Sequence, residues 1–190
     1  MSNGWYTVVE GRELQQGDII ERCPVVLPAA LPCPPTQEAL AAEGAVEYEI
    51  SLKRAVVLSQ SCDLVEGQGK QKINHVVLCP VTTFDEIDKL ASEHPLKNKG
   101  MRSKVAKNEH GAYFAVEGFD DEQGGALTRE PGFVLLPELF LLPLSYVRSL
   151  AEVGGRRLRI ASPNREALSR KFGDWFSRVA LAGPVILPEK

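Results

Sequence analysis

The sequence predicts a mainly β protein with a smaller share of α-helix: a small barrel with inserted loops, covered by a C-terminal amphipathic helix. Three observations carry that expectation. Short apolar runs bounded by turn-forming residues recur along the chain, among them WYTVV at 5–9, RAVVLS at 54–59 and AYFAV at 112–116. Prolines fall inside other apolar stretches and forbid long helices there. One segment shows the clearest helical spacing, with Leu168, Phe172, Trp175, Phe176 and Val179 on one stripe.

WYTVV is the first strand. In LQQGDII (14–20) a Gly-Asp turn precedes Ile19 and Ile20, which start a second. PVVLPAALPCPPT (24–36) holds five prolines, and proline has no N–H for a ladder, so this stretch reads as an extended edge or a surface loop. A short helix is expected at 36–44, capped by Thr36 and stopped by Gly44. EYEISL and RAVVLS follow as strand, then a polar gap at 66–72, then NHVVLCPVTT at 74–83. The unbroken run Val76, Val77, Leu78, Cys79 suits a strand covered on both faces. DEIDKLASEHPL (85–96) predicts a short helix through Ile87, Leu90 and Ala91. GFVLLPELFLLPL (132–144) is apolar but broken by proline, which leaves one or two short strands. RRLRIAS (156–162) alternates as another strand. Ser162 as cap and Pro163 at the first helical position open the final helix. Gly173 inside it costs about 1 kcal/mol against alanine, so packing must hold the helix.

At 190 residues the chain is expected to form one domain over 1–190, with insertions at about 24–50 and 84–131. A net charge of −3 gives no global attraction to nucleic acid, which leaves only a local basic patch to bind phosphate. The start MSNGWYTVVEG lacks a basic-then-apolar signal pattern, and no apolar stretch approaches the roughly 20 residues that span a bilayer. The expectation is a cytoplasmic protein without membrane contact. Cys23, Cys33, Cys62 and Cys79 form no C-x-x-C pair, and His75, His94 and His110 stand at no zinc-like spacing from them. Free thiols are expected, with no metal and no other cofactor.

Three pieces stand in order: Gly17-Asp18-Ile19-Ile20, Ala55-Val56-Val57-Leu58-Ser59 and Val77-Leu78-Cys79-Pro80-Val81-Thr82-Thr83. Together they resemble the MazF/PemK toxin family, whose members carry a G-D-I/L strand, an R-P-x-V-V-L-S strand and a strand ending P-x-T-T or P-x-T-S. The likeness covers residues 14–83. It implies a small SH3-like barrel, a homodimer, a bacterial stress, toxin–antitoxin or phage-defence setting, and single-stranded RNA or a regulatory protein as partner. Many members of the family cut single-stranded RNA without metal, using the RNA 2′-hydroxyl as nucleophile. An arginine of the second motif serves acid–base work and charge stabilisation there, and a threonine of the third supports the phosphate.

The threonine matches Thr82 without a gap, whereas Lys53 falls on the arginine position and Arg54 on the proline beside it. A one-residue slip turns a strand side chain to the opposite face, and lysine lacks the planar fork that grips phosphate bidentately. Two readings follow from the resemblance. One is a barrel that binds a protein or nucleic-acid partner, with ribonuclease activity weak or lost. The other is a metal-independent endoribonuclease using Arg54 or Lys53 with Thr82.

The resemblance implies that the loop ending the second motif lies near the substrate groove, which makes Ser59, Gln60, Ser61 and Asp63 candidate binding residues, while by residue type they are ordinary turn formers. Cys62 as nucleophile, with Asp63 orienting a base such as His75, is a third and weaker reading, because a lone cysteine is more often a small buried hydrophobe. KNKGMRSKVAK (97–107) gathers Lys97, Lys99, Arg102, Lys104 and Lys107 without an acid. That run reads as a phosphate-facing strap or as a solvated loop.

Overall fold

The structure, a computed structural model, describes residues 4–28, 48–65, 73–89, 92–122 and 125–177. The expected helix at 36–44, the polar gap at 66–72, Cys33 and the segment after 177 lie outside the described residues. Among the described residues there are eight strands: β1 Tyr6–Val9, β2 Ile19–Pro28, β3 Tyr48–Val57, β4 His75–Thr83, β5 Tyr113–Val116, β6 Gly132–Leu135, β7 Phe140–Pro143 and β8 Arg157–Ile160. The α-helices are α1 Ser61–Leu64, α2 Phe84–Ile87, α3 Lys99–Ala106, α4 Leu144–Gly154 and α5 Asn164–Phe176. The molecule is therefore mixed α/β with antiparallel strand pairing throughout. One sheet runs β2-β3-β4-β6-β5, with β7 also on β4, and β1 pairs β8 separately. An isolated bridge from Asp18 to Arg159 ties β8 to the start of β2.

β4 is the hub of the large sheet. Its end, Val81–Thr83, faces Val134–Gly132 of β6, and its start, His75–Leu78, faces Pro143–Phe140 of β7. A 3-10 turn, Leu136–Glu138, separates the two partners opposite Cys79 and Pro80. Pro80 has no N–H to give a ladder at that point. The apolar run 132–144 is thereby split into two strands, one of the two outcomes its sequence leaves open.

Strand alternation assigns the cores. Val56, Leu58, Cys79, Val81 and Val134 point into a first cluster with Tyr6, Phe114, Ile160 and Leu168. Ala55, Val57, Val76 and Leu78 point the other way, against Leu144, Val147 and Ala151 of α4. β4 is thus covered on both faces, as its unbroken apolar run predicts. A third cluster joins Ile87, Leu96 and Val105 to Tyr113 and Phe133.

Several local expectations are corrected. Of the helix expected over 85–96, the described part holds the single turn α2, opened by a capping box between Thr83 and Glu86, and a separate 3-10 turn at Pro95–Lys97, while Leu90 and Ala91 lie outside the described residues. The basic run is not a loop but α3. Asn98 caps it by accepting from Gly100 N at 2.8 Å and Met101 N at 3.2 Å, while Val105 anchors it in the third cluster. Ser162 does not cap α5: Pro163 stands at the cap position, without a side-chain bond, and the helix begins at Asn164. On α5 Leu168 is buried and Phe172 and Trp175 pack against the core, but Phe176 is exposed. Residues 24–28 and 48–50, inside the expected insertion, form the outer ends of β2 and β3. β2 is an edge strand, the place in a sheet that tolerates Pro24 and Pro28. No helix among the described residues is long and apolar enough to cross a membrane.

Candidate functional site

The rim loop after β3 is held by its own hydroxyls. Ser59 Oγ accepts from Val77 N at 2.9 Å, and Ser61 Oγ accepts from Gln16 N at 3.1 Å. Gln16 in turn donates its Nε2 to Leu58 O at 2.7 Å and to Ser169 Oγ at 3.4 Å. Two of the four candidate binding residues therefore stitch the loop to β4 and to the turn before β2. Gln60 remains exposed and Asp63 half-buried, with exposed Cys62 between them. The Cys62 sulfur lies 3.7 Å from Gln60 Oε1 and 3.7 Å from Asp63 Oδ1. Both neighbours are oxygens, which supply none of the positive charge that activates a thiol. His75 is exposed and pairs with Pro143 at the start of β4.

The three candidate catalytic residues are separated by the pleat. Arg54 alternates with Val56 and so shares the face of the first core. β2 bulges opposite it: Ile20 pairs with Ala55 and Cys23 with Lys53, which leaves both Glu21 and Arg22 across from Arg54. The bulge brings Glu21 Oε1 to 2.9 Å from Arg54 Nε, and Arg129 donates to the same oxygen through Nε at 3.1 Å and Nη2 at 2.9 Å. Thr82 takes the opposite face. Val81 and Val134 pair within the first core, so the next pair, Thr82 and Phe133, turns toward the third cluster, and Thr82 is 6% exposed. Lys53 has the same parity as Thr82 but lies beyond the last β3–β4 pair, Ala55–Pro80, and is exposed where Thr82 is buried.

On the basic segment, Lys97 donates its Nζ to Asp88 O at 3.2 Å, and Arg102 Nη2 donates to Lys97 O at 3.2 Å. Lys99 and Lys104 are exposed. Five residues apart on α3, they point about 140° away from each other, so the cations do not form one stripe.

Two features are not evident from sequence reasoning. The first is a buried ion cluster at the G-D turn. Asp18 is fully buried; its Oδ2 accepts from Arg157 Nε and Nη2, both at 3.1 Å, and from Arg159 Nη2 at 3.0 Å, while Arg159 Nε bonds Oδ1. Arg157 also donates to Gly11 O at 2.6 Å and Glu13 O at 2.5 Å. The available signal is the alternation of Arg157 and Arg159 around buried Leu158. The second is an exposed apolar ribbon. Cross-strand neighbours Val26 and Ile50, with Leu52 and Tyr48 on the same face, are each at least half exposed.

Near the bulge, the Tyr6 phenol is pushed up by burial, further by Glu117, and is opposed by Arg54. Among the described residues no group of three or more His, Cys, Asp or Glu side chains is gathered to hold a metal ion. No protein-family model matches the chain, and no curated protein matches it.

Proposed function

We propose that the chain is a MazF/PemK-like barrel protein of a bacterial stress, toxin–antitoxin or phage-defence system that acts by binding a partner, with RNA cleavage lost. The observation that carries this reading is the state of Arg54, which is bound to Glu21 on the face opposite Thr82. Charge developing on a phosphorane needs a preorganised cation and donor at one site. Here the cation already has a carboxylate, and the threonine is buried.

The barrel reading is supported by the first core. It is walled by β1 and β8 on one side and the large sheet on the other, and the Tyr6 hydroxyl donates to Glu117 O, just past β5, at 2.6 Å. A protein partner is favoured over RNA by the apolar β2–β3 ribbon, because exposed apolar patches mark protein contacts. The exposed cations of α3 have no aromatic residue among them on which a base would stack.

The test is incubation of the folded full chain with a mixed single-stranded RNA pool in EDTA, beside Arg54→Ala, Lys53→Ala and Thr82→Ala. The expected result is no cutting by any of them. Clean cuts by the wild type, abolished by Thr82→Ala and by one of the basic variants, would overturn the reading and establish an endoribonuclease.

A further inference from the structure

A cavity of about 320 Å³ opens between the β2 bulge, α4 and the start of β8. Its size falls at the lower end of pockets that take small organic ligands, about 300–1,000 Å³. Its inner wall is apolar, with buried Ile20, Leu127 and Leu158. Four arginines line it, Arg22, Arg129, Arg156 and Arg157, beside one acidic residue, Glu21.

Three of these cations are already engaged inside the protein. Arg157 is held by Asp18, Arg129 by Glu21, and Arg156 reaches Asp121 at 3.4 Å. The Arg22 side chain is exposed and makes no hydrogen bond or ion pair among the described residues. Its backbone sits at φ 58°, a conformation uncommon for a residue with a side chain. The two-against-one pairing of the bulge holds it there. The result is an arginine without an ion-pair partner beside a cavity with an apolar inner wall.

We propose that this cavity binds a small amphipathic organic anion. The apolar body lies against Ile20, Leu127 and Leu158, and the carboxylate or phosphate head rests on Arg22. An anion suits the lining because Arg129, Arg156 and Arg157 already have carboxylate partners while Arg22 has none. An apolar body suits it because the inner wall offers little to a polar one. The inference stands on the bulge and the cavity and is independent of whether the chain cuts RNA.

The test is an NMR titration of the ¹⁵N-labelled full chain with sodium octanoate and with octyl phosphate, using octylammonium chloride as the cationic control. Saturable shifts confined to residues 19–22, 127–129 and 150–158 are expected with at least one anion and not with octylammonium; binding of one anion alone identifies the head group and sustains the proposal. Arg22→Asn keeps a residue that tolerates the left-handed backbone but removes the guanidinium, and should weaken binding on the order of tenfold. Leu52→Glu, at an exposed wall position, should weaken it as well. A dispersed spectrum for each variant establishes that it folds. Absence of shifts in these segments, equal response to octylammonium, or undiminished affinity in Arg22→Asn each overturns the proposal.

Discussion

Glu21 and Arg54 face each other across the β2 bulge, joined Oε1 to Nε at 2.9 Å, with Arg129 on the same carboxylate oxygen. The contact removes the best candidate cation from any phosphate site. It contributes little to stability, because the Glu21 side chain is 42% exposed and solvent screens the pair. Glu21→Gln should lower the unfolding free energy by about 1 kcal/mol or less in a urea titration. It should also leave RNA intact in EDTA, since freeing Arg54 does not bring it to Thr82's face. Cutting gained by this variant would mean that Glu21 masks an active cation.

Asp18 is the opposite case. Its carboxylate is fully buried between Arg157 and Arg159, so its loss leaves two guanidiniums without a counter-charge. Removing one partner of a buried ion pair costs about 3–5 kcal/mol. Asp18→Asn should therefore shift the denaturation midpoint far more than Glu21→Gln does. A loss no larger than that of Glu21→Gln would mean the cluster orients the G-D turn without stabilising it.

What is legible in the sequence follows how local the cause is. The run Val76–Cys79 announces a doubly covered strand because burial on both faces requires unbroken apolarity. The serines of the rim loop bond backbone 18 and 45 residues away rather than closing a local turn, so residue type alone suggests their structural role but not their partners. Helix α4 escapes notice although Leu144, Val147 and Ala151 stand at helical spacing, because the proline-broken run before it reads as continuing strand. The bulge at Arg22 leaves no mark at all, since it arises from pairing with a strand across a long connection. The same holds for Glu21, whose partners lie 33 and 108 residues away. Charge partners at such separation follow from strand pairing, and no local pattern encodes them.

Two glycines make a matched test of the packing around β4. A Cβ on Gly132 would stand 2.4 Å from Thr82 O, a backbone atom that cannot yield without parting β6 from β4. Gly132→Ala should cost about 1–3 kcal/mol, the usual penalty of overpacking. A Cβ on Gly173 meets nothing within 4 Å on helix α5. Gly173→Ala should stabilise by about 0.5–1 kcal/mol through helix propensity. Thermal unfolding of both should move the midpoint in opposite directions; a fall in both would mean that α5 packs against something its open glycine does not reveal.

The buried thiols lower stability at alkaline pH, beside the phenols of Tyr6 and Tyr113, which burial also pushes up. Burial pushes Cys23 up to about 12, with Glu21 adding to it, and pushes Cys79 up to about 12, with Glu138 adding. In the unfolded chain each ionises near the ordinary value of 9.0. Below that pH the thiols are protonated in both states and their contribution is complete. Above it the unfolded chain releases protons that the folded one retains, so stability falls as pH rises toward 12. Each thiol accounts for about 1.4 kcal/mol per pH unit once the unfolded form is ionised. Urea titrations across this alkaline window should give a steep decline in the wild type, and Cys23→Ala and Cys79→Ala should each remove one thiol's share of the slope. Exposed Cys62 should be alkylated by iodoacetamide in the native protein, while Cys23 and Cys79 should react only on unfolding. Native labelling of Cys79 would mean that the first core opens around β4, and the alkaline slope would then flatten with it.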